Sequence, residues 1–249
     1  MTPSEPRAPA GASSPRTRGT SGSVGGAGAV GVVVLAGGTG RRLGGVSKPD
    51  VVARGERLLD HVLAGIESLR APLGLGGVVV VAPEEVALPV GVLRALEDPP
   101  LGGPVAGLAA GLLALAHVSD GAEAADGPVP LTAVLTCDAP DSYRALPALL
   151  VAAQDAPERD GAVAVSGRGA DRHTQYLLGV YRTARLSAVV APGGRPLRDV
   201  AVHRTLRALD VVELAEDAVR DASRDLDTWQ DVHDWERAGG GPSGDATVR

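Results

Sequence analysis

Val30-Gly31-Val32-Val33-Val34-Leu35-Ala36-Gly37-Gly38-Thr39-Gly40-Arg41-Arg42-Leu43-Gly44 is an apolar, mostly β-branched run that breaks into a glycine loop. Residues 30–35 lack the polar alternation of a half-exposed strand, which predicts a strand buried on both faces of a parallel sheet. In open α/β sheets, ligands bind outside the carboxyl ends of the strands. Four glycines there let backbone N–H groups come close to phosphate, and Arg41, Arg42 and the nearby Lys48 add positive charge. This is not a Walker loop, whose lysine directly follows the last glycine and precedes Ser or Thr. The bland alternative is a flexible βα connection, but such connections seldom gather four glycines, two adjacent arginines and the chain's only lysine. Gly26-x-Gly28-x-x-Gly31 matches the dinucleotide fingerprint as letters only. It precedes the strand, whereas the fingerprint must join a strand's end to a helix.

Outward from this loop the patterns alternate. Leu58, Leu59, Val62, Leu63, Ile66 and Leu69 recur at helical spacing, Val78–Val81 is a second buried strand, and Pro104 opens an apolar helix reaching Ala116. Ser119–Pro130 reads as a surface insertion. Leu131–Leu135 is a strand, and Asp141 or Ser142 is placed to cap a helix reaching Ala153. Gly161–Val165, Tyr176–Tyr181 and Leu209–Leu214 read as strands, and Thr183–Val190 as a helix. Thr228–Arg237 closes the chain as a helix with Trp229, Val232 and Trp235 inward. Strand and helix in alternation predict an α/β three-layer sandwich with a mostly parallel, Rossmann-like central sheet.

The whole chain has 249 residues, 44% hydrophobic and 22% charged, which fits one domain over residues 29–237. Residues 1–28 and 238–249 carry no apolar periodicity and are expected to be a disordered extension and a flexible tail. A net charge of −6 argues against nucleic acid or an anionic membrane as partner. The densest apolar run near the start, Val30–Ala36, is far short of the ~20 residues a membrane span needs. A single cysteine, Cys137, excludes an internal disulfide and a multi-Cys zinc site, and fits a reducing, cytoplasmic setting. There is no Phe and no Asn, so the core is expected to be Val, Leu and Ala. Lys48 stands alone against 23 arginines, which marks a position where a compact ammonium is wanted rather than a planar fork.

If the glycine loop holds a nucleoside triphosphate, the chemistry calls for a divalent ion. Mg²⁺ takes oxygen ligands and usually only one or two carboxylates. Asp138, just past the Leu131–Leu135 strand, should emerge at the same sheet edge as the loop. Its bland alternative is a helix cap.

The stretch from Leu35 to Lys48 resembles the first motif of the molybdenum cofactor guanylyltransferase-like nucleotidyltransferases, in which Leu-Ala-Gly-Gly is followed by a polar residue, Gly or Ser, Arg, a hydrophobe, Gly and then a lysine. Lys48-Pro49 is closer to the sugar-nucleotide relatives than to the Asp-Lys-Ala of the molybdenum enzymes. Cys137-Asp138-Ala139-Pro140 matches the family's Cys-Asp-hydrophobe-Pro, whose Asp binds the ion. Asp225-Leu226-Asp227-Thr228-Trp229-Gln230-Asp231 resembles its late acidic segment, which adds Asp227 as a second metal candidate; otherwise Asp227 caps the last helix and Asp231 is solvated. Guanylyltransferases carry Asn where Asp225 and Asp227 stand, and cytidylyltransferase relatives carry Asp. Glu97-Asp98-Pro99-Pro100-Leu101-Gly102-Gly103-Pro104-Val105-Ala106-Gly107 resembles the stretch that meets the base or ribose, which carries over to Asp98 and Gly103. Gln175–Tyr181 resembles the segment facing the acceptor, and Arg168, Arg172 and His173 before it are candidates to clamp an anionic group.

The resemblance implies a nucleotide-diphospho-sugar transferase-like fold and an Mg²⁺-dependent transfer of NMP to a phosphate-bearing acceptor such as molybdopterin, with GTP preferred to CTP as donor. It implies triphosphate contacts at Leu35, Ala36, Gly37, Gly38, Gly40 and Arg41, catalytic roles for Arg42, Lys48 and Asp138, and metal contacts at Asp138 and Asp227. A CTP-dependent molybdopterin cytidylyltransferase, a sugar-1-phosphate nucleotidyltransferase and a non-catalytic nucleotide-binding protein are the alternatives. An NAD-dependent oxidoreductase is disfavoured by the misplaced fingerprint. His61, His117, His173, His203 and His233 show no metal-binding spacing, and Gly-x-Ser-x-Gly is absent. Cys137 beside Asp138 is expected to be a buried filler, since a neighbouring carboxylate opposes thiolate formation.

Overall fold

The computed structural model describes residues 30–37, 44–121, 129–167, 171–215, 217, 219 and 222–239. The expected terminal segments, 1–28 and most of 238–249, fall outside them, as does most of the expected insertion.

Val30–Leu35 forms β1, buried at all six positions. It runs parallel between β4 (Leu75–Val81) and β6 (Leu131–Thr136), with β5 (Leu93–Ala95) parallel outside β4. Beyond β6 come β8 (His173–Arg182), then β7 (Gly161–Ser166) and β9 (Val211–Ala215), giving the order β5-β4-β1-β6-β8-β7-β9. β8 is antiparallel to both of its neighbours, and β7 and β9 are parallel to each other. This reversal matters for the site. It brings the first half of β8 to the edge where β1 and β6 end.

The two faces of the sheet are covered separately. Val32 and Val34 pack with α1 (Leu58–Leu73) and α3 (Leu146–Asp155) through Leu59, Val62, Ile66 and Leu149. Val33, Val79 and Val81 pack with α2 (Pro104–Gly121) and α4 (Thr183–Val190), joined by Leu206 of the short α5 (Val202–Leu206). The result is the expected three-layer α/β sandwich. Without Phe, small residues set how closely the layers approach: a Cβ on Gly111 of α2 would lie 2.6 Å from the Val33 side chain. Gly31, the last glycine of the misplaced fingerprint, is instead a strand residue on which Leu115 packs.

A third cluster sits apart. Val51, Ala53 and Leu58 bury against Leu226, Val232 and Trp235. Val51 precedes, and Ala53 belongs to, a hairpin of β2 (Val52–Ala53) and β3 (Glu56–Arg57), turned by Arg54 and Gly55 with φ of +52° and +84°. Two positive φ values in a two-residue loop are what a type I′ turn requires. Val232 and Trp235 come from α6 (Trp229–Gly239).

Several expectations need correction. Trp229 is 43% exposed rather than inward, because the buried stripe of α6 runs through Val232 and Trp235. Neither Asp141 nor Ser142 caps α3, since a 3₁₀ turn over Ser142–Ala145 precedes it and no side-chain cap forms. Asp141 accepts instead from Trp235 Nε1 at 2.6 Å. Ser119–Gly121 belongs to α2 rather than to an insertion. β2, β3, β5 and α5 have two to five residues each, too few to leave a periodic signal.

Candidate active site

The parallel ladders run one residue past the strand ends. Ala36 N donates to Val81 O at 2.9 Å, Ala82 N to Ala95 O at 3.0 Å and Cys137 N to Leu35 O at 3.0 Å. The chains leaving β1, β4, β5 and β6 therefore depart from one edge. Leu35 and Ala36 are buried there, and Gly37 is exposed with nothing within 4 Å of where a Cβ would be. Gly38, Gly40, Arg41 and Arg42 lie outside the described residues.

Lys48 opens a 3₁₀ turn over Lys48–Asp50, anchored by the buried Pro49. Its Nζ donates to Asp138 Oδ2 at 2.8 Å and to Asp227 Oδ1 at 2.5 Å. Residues 90 and 179 positions away thus meet on one ammonium. Asp138 reaches it because it follows β6 directly. Asp227 reaches it because Leu226 N donates to Asp138 O at 2.8 Å while the Leu226 side chain is buried in the third cluster.

Thr228, not Asp227, caps α6. Asp231 Oδ2 accepts from Thr228 N at 2.8 Å and from Thr228 Oγ1 at 2.7 Å, and Asp231 N donates to Thr228 Oγ1 at 3.2 Å. This reciprocal box closes the helix start without the Asp227 carboxylate, which turns to Lys48. Hydrogen bonds from Thr228 hold the Asp231 carboxyl below the usual carboxylate range.

Burial works against charge on Lys48, but its hydrogen bonds to Asp138 and Asp227 and their negative charges outweigh it and raise its pKa. Lys48 is therefore an ammonium at any working pH. Burial pushes the Cys137 thiol up, with the Asp138 charge as the next cause, so Cys137 is the inert filler expected of it. Desolvation and the charges of Asp138 and Asp227 raise the Asp225 carboxyl to about 6.

Beside Asp138 opens a cleft of about 270 Å³. One wall comes from β8, whose register against β7 jumps from Val163↔Gly179 to Ala164↔Gln175. Tyr176, Leu177 and Leu178 bulge out of the ladder at this jump and line the cleft. The Tyr181 hydroxyl, fully buried, donates to Tyr176 O at 2.5 Å and pins the bulge. The segment Gln175–Tyr181 expected to face the acceptor thus borders the cleft. Of the residues expected to clamp an anionic group, Arg172 Nη2 pairs with Glu213 Oε2 at 2.5 Å, His173 meets Ser166 and Gln175, and Arg168 lies outside the described residues.

Asp98 is exposed on the turn after β5, and the preceding Glu97 accepts from Gly102 N at 3.1 Å. Gly103 leads into α2 with φ of +85°. No described contact joins Asp98 to the Lys48 cluster. Asp225, Ser142 and His203 also line the cleft, and sequence reasoning gave none of them a part in the chemistry. Asp225 stood in the late acidic motif, while Ser142 and His203 carried no chemical signal.

The family model for the MobA-like NTP transferase domain matches residues 32–228, a range that holds the strand end before the glycine loop, Lys48, Asp138 and Asp227. The chain belongs to that family. Among solved structures, this MobA-like domain is similar to molybdopterin-guanine dinucleotide biosynthesis protein A from Archaeoglobus fulgidus, at 20% identity and a TM-score of 0.54 over 84% of this chain and 98% of that one. It is also similar to 2-C-methyl-D-erythritol 4-phosphate cytidylyltransferase from Thermus thermophilus, at 20% identity and a TM-score of 0.53 over 83% and 97%. A nucleotidyl transferase from Methanothermobacter shares 17% identity and a TM-score of 0.53 over 84% and 96%. At these identities the likeness carries the fold. No curated protein matches the chain by sequence. Among the described residues no helix is long and apolar enough to cross a membrane.

Proposed function

We propose that this MobA-like domain transfers GMP from GTP to the phosphate of molybdopterin. A terminal phosphate oxygen of the acceptor forms a bond to the α-phosphorus, the bond from that phosphorus to the bridging oxygen breaks, and pyrophosphate leaves. The observation that carries this reading is the meeting of Lys48 with Asp138 and Asp227 at the carboxyl edge of β1 and β6.

Mg²⁺ fits the donor set. Among the described residues no three His, Cys, Asp or Glu side chains group as a metal site, but two carboxylates face one cation, and Mg²⁺ commonly takes one or two. Asp138 and Asp227 would hold it, and it would supply charge neutralisation at the transferring phosphate. The chain's own groups position and neutralise. Gly37, with Gly38, Gly40, Arg41 and Arg42, binds the β- and γ-phosphates. Lys48 places a fixed positive charge at the α-phosphate. Asp98 and Gly103 meet the base or ribose.

Asp225 and Asp227, where guanylyltransferases carry Asn, favour CTP as a second donor reading; a chain without any Asn weakens that argument. Pyrophosphate release in Mg²⁺, measured for the four NTPs against molybdopterin and sugar 1-phosphates, separates the readings. Release with GTP and molybdopterin is expected. Release with CTP alone transfers the assignment to the cytidylyl reading, and no release with any pair overturns nucleotidyl transfer.

A further inference from the structure

Two positive charges are called to one pair of carboxylates. Lys48 Nζ stands 2.8 Å from Asp138 Oδ2 and 2.5 Å from Asp227 Oδ1, and these are the side chains that fit Mg²⁺. An ion bridging the same two oxygens needs the place that the ammonium fills, and two cations repel too strongly to share it. Either Lys48 leaves or the ion stays out.

The parts around this seat differ in how far they can move. The backbone at Lys48 is anchored: Pro49 is buried, and Val51, 1% exposed in the third cluster, donates its N–H to Lys48 O at 3.2 Å. The carboxylates are anchored too. Leu226 N holds Asp138 O at 2.8 Å, and the Thr228–Asp231 box fixes the chain just past Asp227. The Lys48 side chain is the mobile part, a flexible four-carbon stem whose three donors turn to the anion at hand. At 18% exposure its ion pairs are screened less than surface pairs, so it competes strongly with a free ion. A denser anion can draw it off, and the glycine-bearing end of β1 leaves the same edge as β6, where a triphosphate would supply one.

We propose that Lys48 locks the metal seat in the nucleotide-free chain and opens it when a nucleoside triphosphate binds. The ammonium sits on Asp138 and Asp227 until the phosphates take it, and the two carboxylates are then bare for a divalent ion. Metal and nucleotide binding are thereby coupled, each strengthening the other by the same factor. The inference rests on the proposed nucleotidyl transfer for the ion and the nucleotide, but binding alone tests it.

The experiment is calorimetric titration of Mg²⁺ into the full chain and its Lys48→Met variant, without nucleotide. Lys48→Met keeps the length of the side chain and deletes its charge. It should bind Mg²⁺ at least about tenfold more tightly than the parent, within the usual range for coupled sites. Adding Asp138→Asn to Lys48→Met should abolish the gain. Equal or weaker binding by Lys48→Met, or a gain that survives Asp138→Asn, overturns the lock. The parent chain gives a second reading that does not depend on the variants folding. Lys48 is its only lysine, so ¹⁵N-lysine labelling yields a single Nζ signal. Saturating α,β-methylene GTP or CTP without metal should move that signal, and so should saturating Mg²⁺ without nucleotide. A signal unmoved by either one, or binding of neither analogue, overturns the lock. Pyrophosphate release by the parent chain is scored separately. Its absence sinks nucleotidyl transfer and leaves a demonstrated lock standing, whereas its presence with unchanged Mg²⁺ affinity in Lys48→Met sinks only the lock.

Discussion

Lys48 is held where a point charge is useful and a broad one is not. The side chain is 18% exposed, and its single nitrogen reaches carboxylates on both sides, Asp138 and Asp227. A guanidinium is planar and directs its donors in a fork, so it cannot present one compact charge between the same two oxygens. In a chain with 23 arginines the lone lysine therefore follows from geometry. In the proposed reaction, Lys48→Ala should lose on the order of 10²-fold or more in turnover, the scale of removing one transition-state donor. Lys48→Arg should not restore it. Pyrophosphate release with saturating substrates reads the effect, and far-UV circular dichroism shows that the fold persists, since Asp138 and Asp227 both keep access to water. Near-normal release by Lys48→Ala would remove this residue from the mechanism.

At the scale of elements, long buried runs were legible and short or broken ones were not. The valines of β1 are buried without exception, and the alanine-rich apolar length of α2 announces a helix packed on the sheet, although Leu113 stays exposed. The hairpin of β2 and β3 has two residues per strand, and its turn carries Arg54 rather than Asn before Gly55, so neither period nor turn letters announce it. β8 was legible as a strand over Tyr176–Tyr181 but not in its direction or its bulge, because both come from pairing with β6 and β7. The same pairing sets the partner that Arg172 takes. Glu213 of β9 accepts from Thr174 Oγ1 at 2.6 Å and from Arg172, contacts 39 and 41 residues apart that no local pattern contains. These hydrogen bonds, Thr174 first and Arg172 second, lower the Glu213 pKa from 4.5. A depressed carboxyl stabilises the fold fully above its unfolded-state value and loses that contribution as pH falls through its folded one. Glu213→Gln should accordingly flatten the acid side of a Tm-against-pH profile below about pH 4.5, while leaving its alkaline side unchanged in slope. Parallel profiles for the two proteins would show that this cross-sheet pair carries no linked stability.

For the molecule as a whole, the site depends on a long-range closure. The Lys48 and Asp138 ends of the site were readable because each follows a strong strand or loop motif, whereas the arrival of Asp227 depends on α6 folding back across the chain. Trp235 secures that return. Its indole N–H donates to Asp141, its ring lies 3.4 Å below the Arg54 guanidinium and 5.1 Å from the His61 ring, and it is 4% exposed in the third cluster. None of these partners belongs to the central sheet, so the cluster can open without melting the sandwich. Trp235→Ala should cost about 3–5 kcal/mol locally. In hydrogen exchange, amides of 229–239 and 51–57 should lose protection while those of β1, β4 and β6 keep theirs. Lys48 would then retain Asp138 but lose Asp227, so turnover should fall even at temperatures well below the Tm. Trp235→Phe, which keeps most of the packing and deletes the N–H to Asp141, should give an intermediate loss. Uniform loss of protection across the sheet would instead show that α6 is part of the main cooperative core, and that the convergence of the three residues is as stable as the fold itself.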